Sequence, residues 1–391
     1  MQPEQIKKAA EELWQLCFQS PHPASEIISA YTRSRRYIGS KDRQKLTNYV
    51  WKMLRFKAHV DFYIQQGVLF QNLLDQELID SPDMPEWVRL ECPGWLLDKI
   101  PDAEKELKAM QTPAPTILRA NGNRAEIIRR LAQEGITGTP TKYSPFGIQL
   151  DKRYNLNIAK AYRNGWVEVQ DEGSQLIALE TRISPGQSVF DMCAGAGGKS
   201  LIFAQMMQNK GSITAYDISA RSLIELEKRA ARACTDIIHP TLGFPTEPFD
   251  VVVIDAPCSG SGTWRRAPDA KWKLLPARFD LLIKTQAELL RKGAPLATQK
   301  LCYMTCSLTQ DENEDQIETF LKEHREWQCI FQKRLSPYRT ETDGFFIAVM
   351  KKIKDKTPSL PSPSTSKTPL TGRPHLHQSK QQSACQRNSL L

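Results

Sequence analysis

The 391-residue chain contains no stretch of some eighteen consecutive apolar residues, about the length a helix needs to cross a bilayer, so no membrane-spanning helix is expected. Its first residues, MQPEQIKKAAEELWQLCF, lack the basic segment and apolar core of a secretory signal, and a cytoplasmic protein is expected. The nine cysteines form no CxxC pair, and the six histidines are scattered. Neither a disulfide framework nor a zinc-ligand spacing is present, and no metal is expected. A Walker phosphate loop is also missing: in AGAGGKS, Lys199 and Ser200 follow glycines, but the first glycine of GxxxxGK is not at its required distance. ATP is disfavoured.

With 40% hydrophobic and 25% charged residues the chain is of globular composition, and a formal net charge of +9 favours a polyanionic partner. Its texture divides it into four parts. Residues 1–110 place apolar residues three and four apart, as in EQIKKAAEELWQLCF and KDRQKLTNYVWKMLRF, with Ser40 and Asp42 as cap candidates, so an all-helical domain is expected. Residues 111–173 mix the short strand candidates TILRAN, GIQL and WVEVQ with a helix, NRAEIIRRLAQEG, which closes on Gly135. They read as a small α/β module. In residues 174–352 the apolar runs SVFDMCA, SITAYD, FDVVVIDAP, KLCYMTC and GFFIAVM alternate with helices, the pattern of a parallel sheet covered on both faces. Residues 353–391, rich in Pro, Ser, Thr and Lys without periodicity, read as a disordered tail.

The first strand of that sheet ends in DMCAGAGGKS, where Gly195, Gly197 and Gly198 allow close approach of backbone to a ligand. Asp217 ends the next strand, about 20 residues beyond the glycines. A carboxylate there can accept both ribose hydroxyls of a nucleoside cofactor, and NAD and S-adenosylmethionine both fit. The run FDVVVIDAPCSG then delivers Asp255, Pro257 and Cys258 to the carboxyl end of a further strand, and 48 residues later YMTCSLTQDENE delivers Cys306 in the same way. Hydride transfer needs no thiol in that crevice. Methylation at carbon 5 of a pyrimidine does, because that carbon becomes nucleophilic only after a thiolate adds to carbon 6.

DMCAGAGGKS, DAPCSGSGTWRRAPDAKW, YMTCSLTQDENE and DGFFIAVMKK resemble the cofactor loop, Pro-Cys motif, Thr-Cys motif and closing strand of the Nol1/Nop2/Sun family of RNA (cytosine-5)-methyltransferases, in its RsmB-type branch. The likeness runs from about Thr116 to Lys352, and RSRRYIGSKDR resembles part of the NusB-like helical extension some members carry. It implies a Rossmann-like catalytic domain that takes S-adenosylmethionine, with a small α/β RNA-binding module and a helical NusB-like domain before it. The resemblance implies that Cys306 is the nucleophile, that Cys258 assists release of the methylated RNA, and that Asp255 contacts the target base or the reacting centre. Cys193, Ala194, Gly195, Ala196, Gly197, Gly198, Lys199, Asp217 and Asp255 are the expected cofactor-binding residues, with Cys193 read as a packing residue whose backbone lines the ligand. Two departures stand out: Gly195-Ala196 replaces the more usual Ala-Pro, and CTDIIHPTLGFPTEPFD offers no carboxylate after its strand for the adenine, Asp236 lying before it.

Candidate phosphate contacts are Arg33, Arg35, Arg36, Lys41 and Arg43 in the helical part, Arg119 and Arg124 in the module, and Arg265, Arg266 and Lys271 beyond the Pro-Cys motif. The rival reading pairs the first group with Asp42 and Glu26. Ribosomal RNA is the favoured partner, transfer RNA stays open, and a monomer is expected. An RNA-binding assembly factor that keeps the fold without turnover, and a DNA methyltransferase using a Pro-Cys nucleophile, are the alternative functions. Retention of Cys306 and of the glycines speaks against the first, and the Thr-Cys segment with the upstream module against the second.

Overall fold

The computed structural model describes residues 1–353; the expected tail falls, from residue 354 on, outside the described residues. Helices occupy Pro3–Gln19, Ala24–Ser34, Ser40–Arg55 and Lys57–Gln65, and shorter ones continue to Ala103–Met110. The first three bury one stripe each: Ile6, Ala10, Leu13 and Cys17 meet Ile28 and Tyr31, and Leu46, Val50, Met53 and Leu54. Spacings of three and four residues put those side chains on one helix face, which is why the periodicity was readable. The caps differ from expectation. Gly39 occupies the N-cap before Ser40 without a side-chain bond, and Asp42 instead pairs with the Met1 ammonium at 2.5 Å.

The next segment forms a four-stranded antiparallel sheet of β1 (Ile117–Ala120), β2 (Gly138–Pro140), β3 (Gly147–Leu150) and β4 (Val167–Val169), ordered β2-β3-β1-β4. β2 was not anticipated, being three residues long and containing a proline. The helix Arg124–Gln133 starts where the Asn123 side chain accepts from the Glu126 N–H at 3.1 Å, and it packs Ile127 and Leu131 onto Leu118, Ala120, Ile148 and Val167. Since alternate residues of a strand face opposite ways, Arg119 and Glu168, paired across β1 and β4, turn from that core toward the third part of the chain. The helix Glu172–Glu180 spans the boundary expected at residue 174.

The third part is a seven-stranded sheet of β5 (Ser188–Asp191), β6 (Ser212–Tyr216), β7 (Ile238–Thr241), β8 (Phe249–Asp255), β9 (Ala297–Thr305), β10 (Trp327–Leu335) and β11 (Phe345–Lys352), ordered β10-β11-β9-β8-β5-β6-β7. β5 to β9 run parallel, but β11 lies antiparallel to β9 and to β10, so the sheet is mixed rather than wholly parallel. An apolar strand buried on both faces, such as β11, carries no mark of its direction. Val189, Ile202, Val251, Cys302 and Ile347 fill one face, and Phe190, Val252, Ile254, Leu301 and Phe346 the other. The strand order reverses between β5 and β8, which opens a crevice at their carboxyl ends.

Gly262 fastens the loops at that crevice. Its N–H donates to the Cys306 carbonyl at 2.9 Å and its carbonyl accepts from the Gly344 N–H at 2.7 Å. A Cβ there would lie 2.1 Å from the Gly344 oxygen, a backbone atom that cannot turn aside. Gly262→Ala should therefore cost about 1–3 kcal/mol in urea unfolding, and an unchanged midpoint would show that the loops yield freely.

Candidate active site

β5 leads into the loop Met192–Gly197 and the helix Gly198–Met206. Gly195 and Gly197 take positive φ, and a Cβ on Gly197 would lie 2.5 Å from Leu226 Cγ, whereas Gly195 faces open space. Conformation favours glycine at both positions, and packing requires it at Gly197. The Gly195 N–H donates to Asp217 Oδ2 and the Ser219 N–H to Oδ1, each at 2.8 Å. Two backbone donors thus fix the carboxylate, and each oxygen keeps a lone pair for a ribose hydroxyl. Asp217, Cys193 and Asp255 line a cleft of about 860 Å³ that continues over Ile218, Phe244 and Leu289. Ile218, Phe244 and Leu289 give the cleft an apolar end, to which Thr285 and Lys292 add polar groups. Volume, fixed ribose acceptor and apolar end fit S-adenosylmethionine. Cys193 is half-buried and lines the cleft, and its surroundings push its thiol up out of reactivity.

Lys199 extends from the first turn of the helix and donates to Asp255 Oδ2 at 2.6 Å. Burial alone would depress its pKa, but the adjacent carboxylate outweighs that and holds the ammonium above its ordinary value. Asp191, at the end of β5, is a site residue that the sequence reading left without a role. It is fully buried, accepts from Ser200 Oγ at 2.6 Å through Oδ2, and leaves Oδ1 without a partner. Burial pushes its carboxyl up to about 7.

Across the crevice the sulfurs of Cys258 and Cys306 stand 3.3 Å apart. Parallel pairing of β8 with β9 puts Asp255 beside Met304, so both cysteines leave the sheet at the same level. Their loops are joined by Glu312, which is fully buried. One carboxylate oxygen accepts from the Ser259 N–H at 2.7 Å and Gln286 Nε2 at 3.0 Å. The other accepts from the hydroxyls of Ser259, Ser307 and Thr309 at 2.5, 2.5 and 2.9 Å. Glu312 lies inside the YMTCSLTQDENE motif with two of its partners, Ser307 and Thr309, but Ser259 and Gln286 come from two other segments and left no local signal. The bond to Cys306 and burial raise the Cys258 thiol well above its ordinary range, so Cys258 keeps its proton and can donate S–H to Cys306.

The expected phosphate contacts divide. Arg33, Arg36 and Lys41 are exposed. Arg35 stacks on Tyr31 and pairs with Glu12 at 3.0 Å, in place of the rival Asp42 or Glu26, and Arg43 donates to the Ile38 carbonyl. Arg124 donates to the Ser144 carbonyl at 2.6 Å. Arg119 and Lys271 are corrections: both are buried, and burial lowers the pKa of each, that of Arg119 to about 9. Neither is presented to a phosphate. Arg265 and Arg266 converge on Asp343, and Arg266 also reaches Asp171 at 2.7 Å, so this pair spends its charge inside the protein.

Residues 177–351 match the family model described as 16S rRNA methyltransferase RsmB/F, and residues 92–157 match its ferredoxin-like domain. The chain is 31% identical to the probable ribosomal RNA small subunit methyltransferase B of Synechocystis sp. over 90% of its own length and 84% of that protein's. It belongs to the RsmB-type branch of the Nol1/Nop2/Sun family. Among solved structures it is similar to PH0851, with a TM-score of 0.75 and 22% identity over 90% of this chain and 99% of that one. It also resembles NSun6 from Pyrococcus horikoshii with SFG, an S-adenosylmethionine analogue, at a TM-score of 0.58 and 19% identity over 65% and 95% of the two chains. At those identities both likenesses speak for the fold. This RsmB-type protein is an S-adenosylmethionine-dependent RNA methyltransferase. No described helix is long and apolar enough to cross a membrane.

If Asp217 takes the ribose hydroxyls, Asp217→Ala would remove two charge-assisted bonds, about 1.5–3 kcal/mol each at most. The dissociation constant for S-adenosylmethionine should rise roughly tenfold or more by calorimetry; an unchanged value would place the ribose acceptor elsewhere. Asp191 gives a pH signature. Its folded pKa of about 7 exceeds the unfolded value near 3.8, so the folded state holds the extra proton between those limits and loses stability as pH rises through them. Asp191→Asn should raise the melting temperature relative to wild type at pH 8 and by much less at pH 5. An equal difference at both would mean that Asp191 does not titrate in that window.

Proposed function

We propose that the chain methylates carbon 5 of a cytosine in small-subunit ribosomal RNA through a covalent adduct with Cys306, acting in the cytoplasm. The observation that carries this reading is the pair of thiols 3.3 Å apart at the ends of adjacent parallel strands, beside the Lys199–Asp255 pair. The family membership and the Synechocystis relative's name support ribosomal RNA as substrate.

Bound S-adenosylmethionine supplies an electrophilic methyl group. Cys306 adds to carbon 6 of the base, and the displaced ring electrons make carbon 5 the nucleophile that takes the methyl. The carbon 5 proton must then pass to a base, water in the cleft serving as acceptor. The electrons of that C–H bond restore the ring double bond as the bond from carbon 6 to sulfur breaks, and its electron pair returns to Cys306 as thiolate. To that departing sulfur the Cys258 S–H can donate. Cys258, one sulfur contact away, serves this second half. Asp255, held by Lys199, is placed to bind the exocyclic amine or a protonated ring nitrogen, which favours electron flow into the ring. A flipped base costs a few kcal/mol of lost stacking, and residues 1–110, with exposed Arg33, Arg36 and Lys41, together with the module of residues 111–173, form the platform that holds the RNA while residues 174–352 carry out the chemistry.

Cys306→Ala should abolish methyl transfer from a tritiated cofactor while S-adenosylmethionine still binds, since the cofactor loop lies on another strand. Cys258→Ala should accumulate a ribonuclease-sensitive protein–RNA band on denaturing gels, because attack remains and release is slowed. Normal turnover in either variant would sink the role given to that cysteine.

A further inference from the structure

Between the small sheet and the cofactor loop lies a guanidinium that touches both. The loop Met192–Gly197 crosses the helix Ala220–Arg232, with Gly197 against Leu226. Three residues on, and so on the same helix face, Arg229 donates from Nη1 to the Ala196 carbonyl at 2.7 Å. Its Nε and Nη2 donate to Glu168 Oε2 at 3.1 and 3.0 Å. Glu168 belongs to β4 of the small sheet and is 1% exposed.

That sheet is seated firmly on the same helix. A Cβ on Gly165 would lie 1.9 Å from the Arg232 carbonyl oxygen. The Arg232 guanidinium lies 4.3 Å over the Tyr162 ring and donates to Glu168 Oε1 at 2.6 Å, and Gln170 Nε2 donates to the Gly198 carbonyl at 3.2 Å.

Charge neutralisation does not require Arg229. Glu168 already has Arg232 as an ion-pair partner and Arg119 opposite it on β1. What Arg229 adds is a rigid planar fork with one arm on the loop. The arm matters because of its neighbour: Ala196 is bonded to Gly195, whose N–H orients Asp217. The Ala196 carbonyl lies two peptide planes from that N–H, within one short loop, so the bond from Arg229 restrains the segment that holds Asp217.

We propose that Arg229 is a positioning residue that sets the cofactor loop for S-adenosylmethionine, and that Glu168 makes the setting depend on how the small sheet is seated. The proposal rests on Asp217 as part of the cofactor site and is independent of the cytosine chemistry.

The test measures S-adenosylmethionine affinity calorimetrically on the full chain. Arg229→Ala should raise the dissociation constant at least fivefold while the methyl-transfer rate at saturating cofactor stays within about twofold, the split expected of an element that places the cofactor without touching the reacting atoms. Glu168→Gln keeps the shape and removes the charge, so it should shift affinity in the same direction although it lies outside the cleft, and Glu168→Asp should restore part of it. If either folded variant has a lower melting temperature but binds S-adenosylmethionine within twofold of wild type, the cluster only holds the domains together and the proposal is overturned. Glu168→Gln remains decisive if Arg229→Ala does not fold. Wild-type affinity and Asp217→Ala report on the cofactor site itself, so failure of that reading is seen separately.

Discussion

A buried carboxylate holds the reactive part of this protein together. Glu312 is withdrawn from water, which would be costly without partners. Donors from the Pro-Cys loop, the Thr-Cys loop and the helix Pro276–Gly293 supply them. The donors sit on both cysteine loops and on that helix, so satisfying the charge also ties the two loops together, beside the backbone bonds that Gly262 makes. The Tyr303 hydroxyl donates to the Glu312 carbonyl at 2.7 Å, and Asn313 bridges Thr305 and the Ser307 carbonyl. The turn that follows Cys306 is thereby rigid, as covalent chemistry with a fixed approach requires.

The same device recurs between the layers. Asp343, at the start of β11, gathers Arg265 and Arg266. Arg55 of the helical part donates to the Arg265 carbonyl at 3.1 Å, and Asp269 accepts the Ala24 N–H at 3.0 Å. Glu106 receives Ser336 Oγ at 2.7 Å. These contacts are polar and far apart in sequence; they join helical part and catalytic sheet, and Glu168 with Arg229 and Arg232 adds the small sheet, in one compact unit from Met1 to Ile353. Asp343, Asp269 and Glu106 each find their partner on a distant segment, so these segments dock in one register. RNA held on the outer parts would meet a crevice whose place relative to them is fixed.

Much of this was readable where one local rule decides the outcome. A strand that ends in DAPC or MTC delivers its last side chains to the crevice whatever surrounds it, and glycines with a following acidic residue mark the ribose corner. The misread residues share one cause: the letters Arg and Lys state a charge but not the face it occupies. Arg119 sits in a strand whose alternation turns it inward, and Lys271 follows Asp269 into a packed turn, so both looked like surface cations. Glu312 and Asp191 lay in plain view within recognised motifs, yet their importance comes from burial, which the motif letters do not state, and for Glu312 also from Ser259 and Gln286, far away in sequence. Strand direction escaped for a similar reason. β11 is apolar on both faces, and β10, exposed along much of its length as an edge strand, lacks the apolar run that would have announced it.

The account stands on which sulfur becomes bonded to the base. With 5-fluorocytidine in the substrate RNA, methyl transfer leaves fluorine where the departing proton should be, so release stalls with the wild-type enzyme attached. Mass spectrometry of the digested adduct should find the nucleotide on the peptide containing Cys306. A nucleotide on the peptide containing Cys258, or none on either, would contradict the assignment of nucleophile and helper on which the mechanism is built.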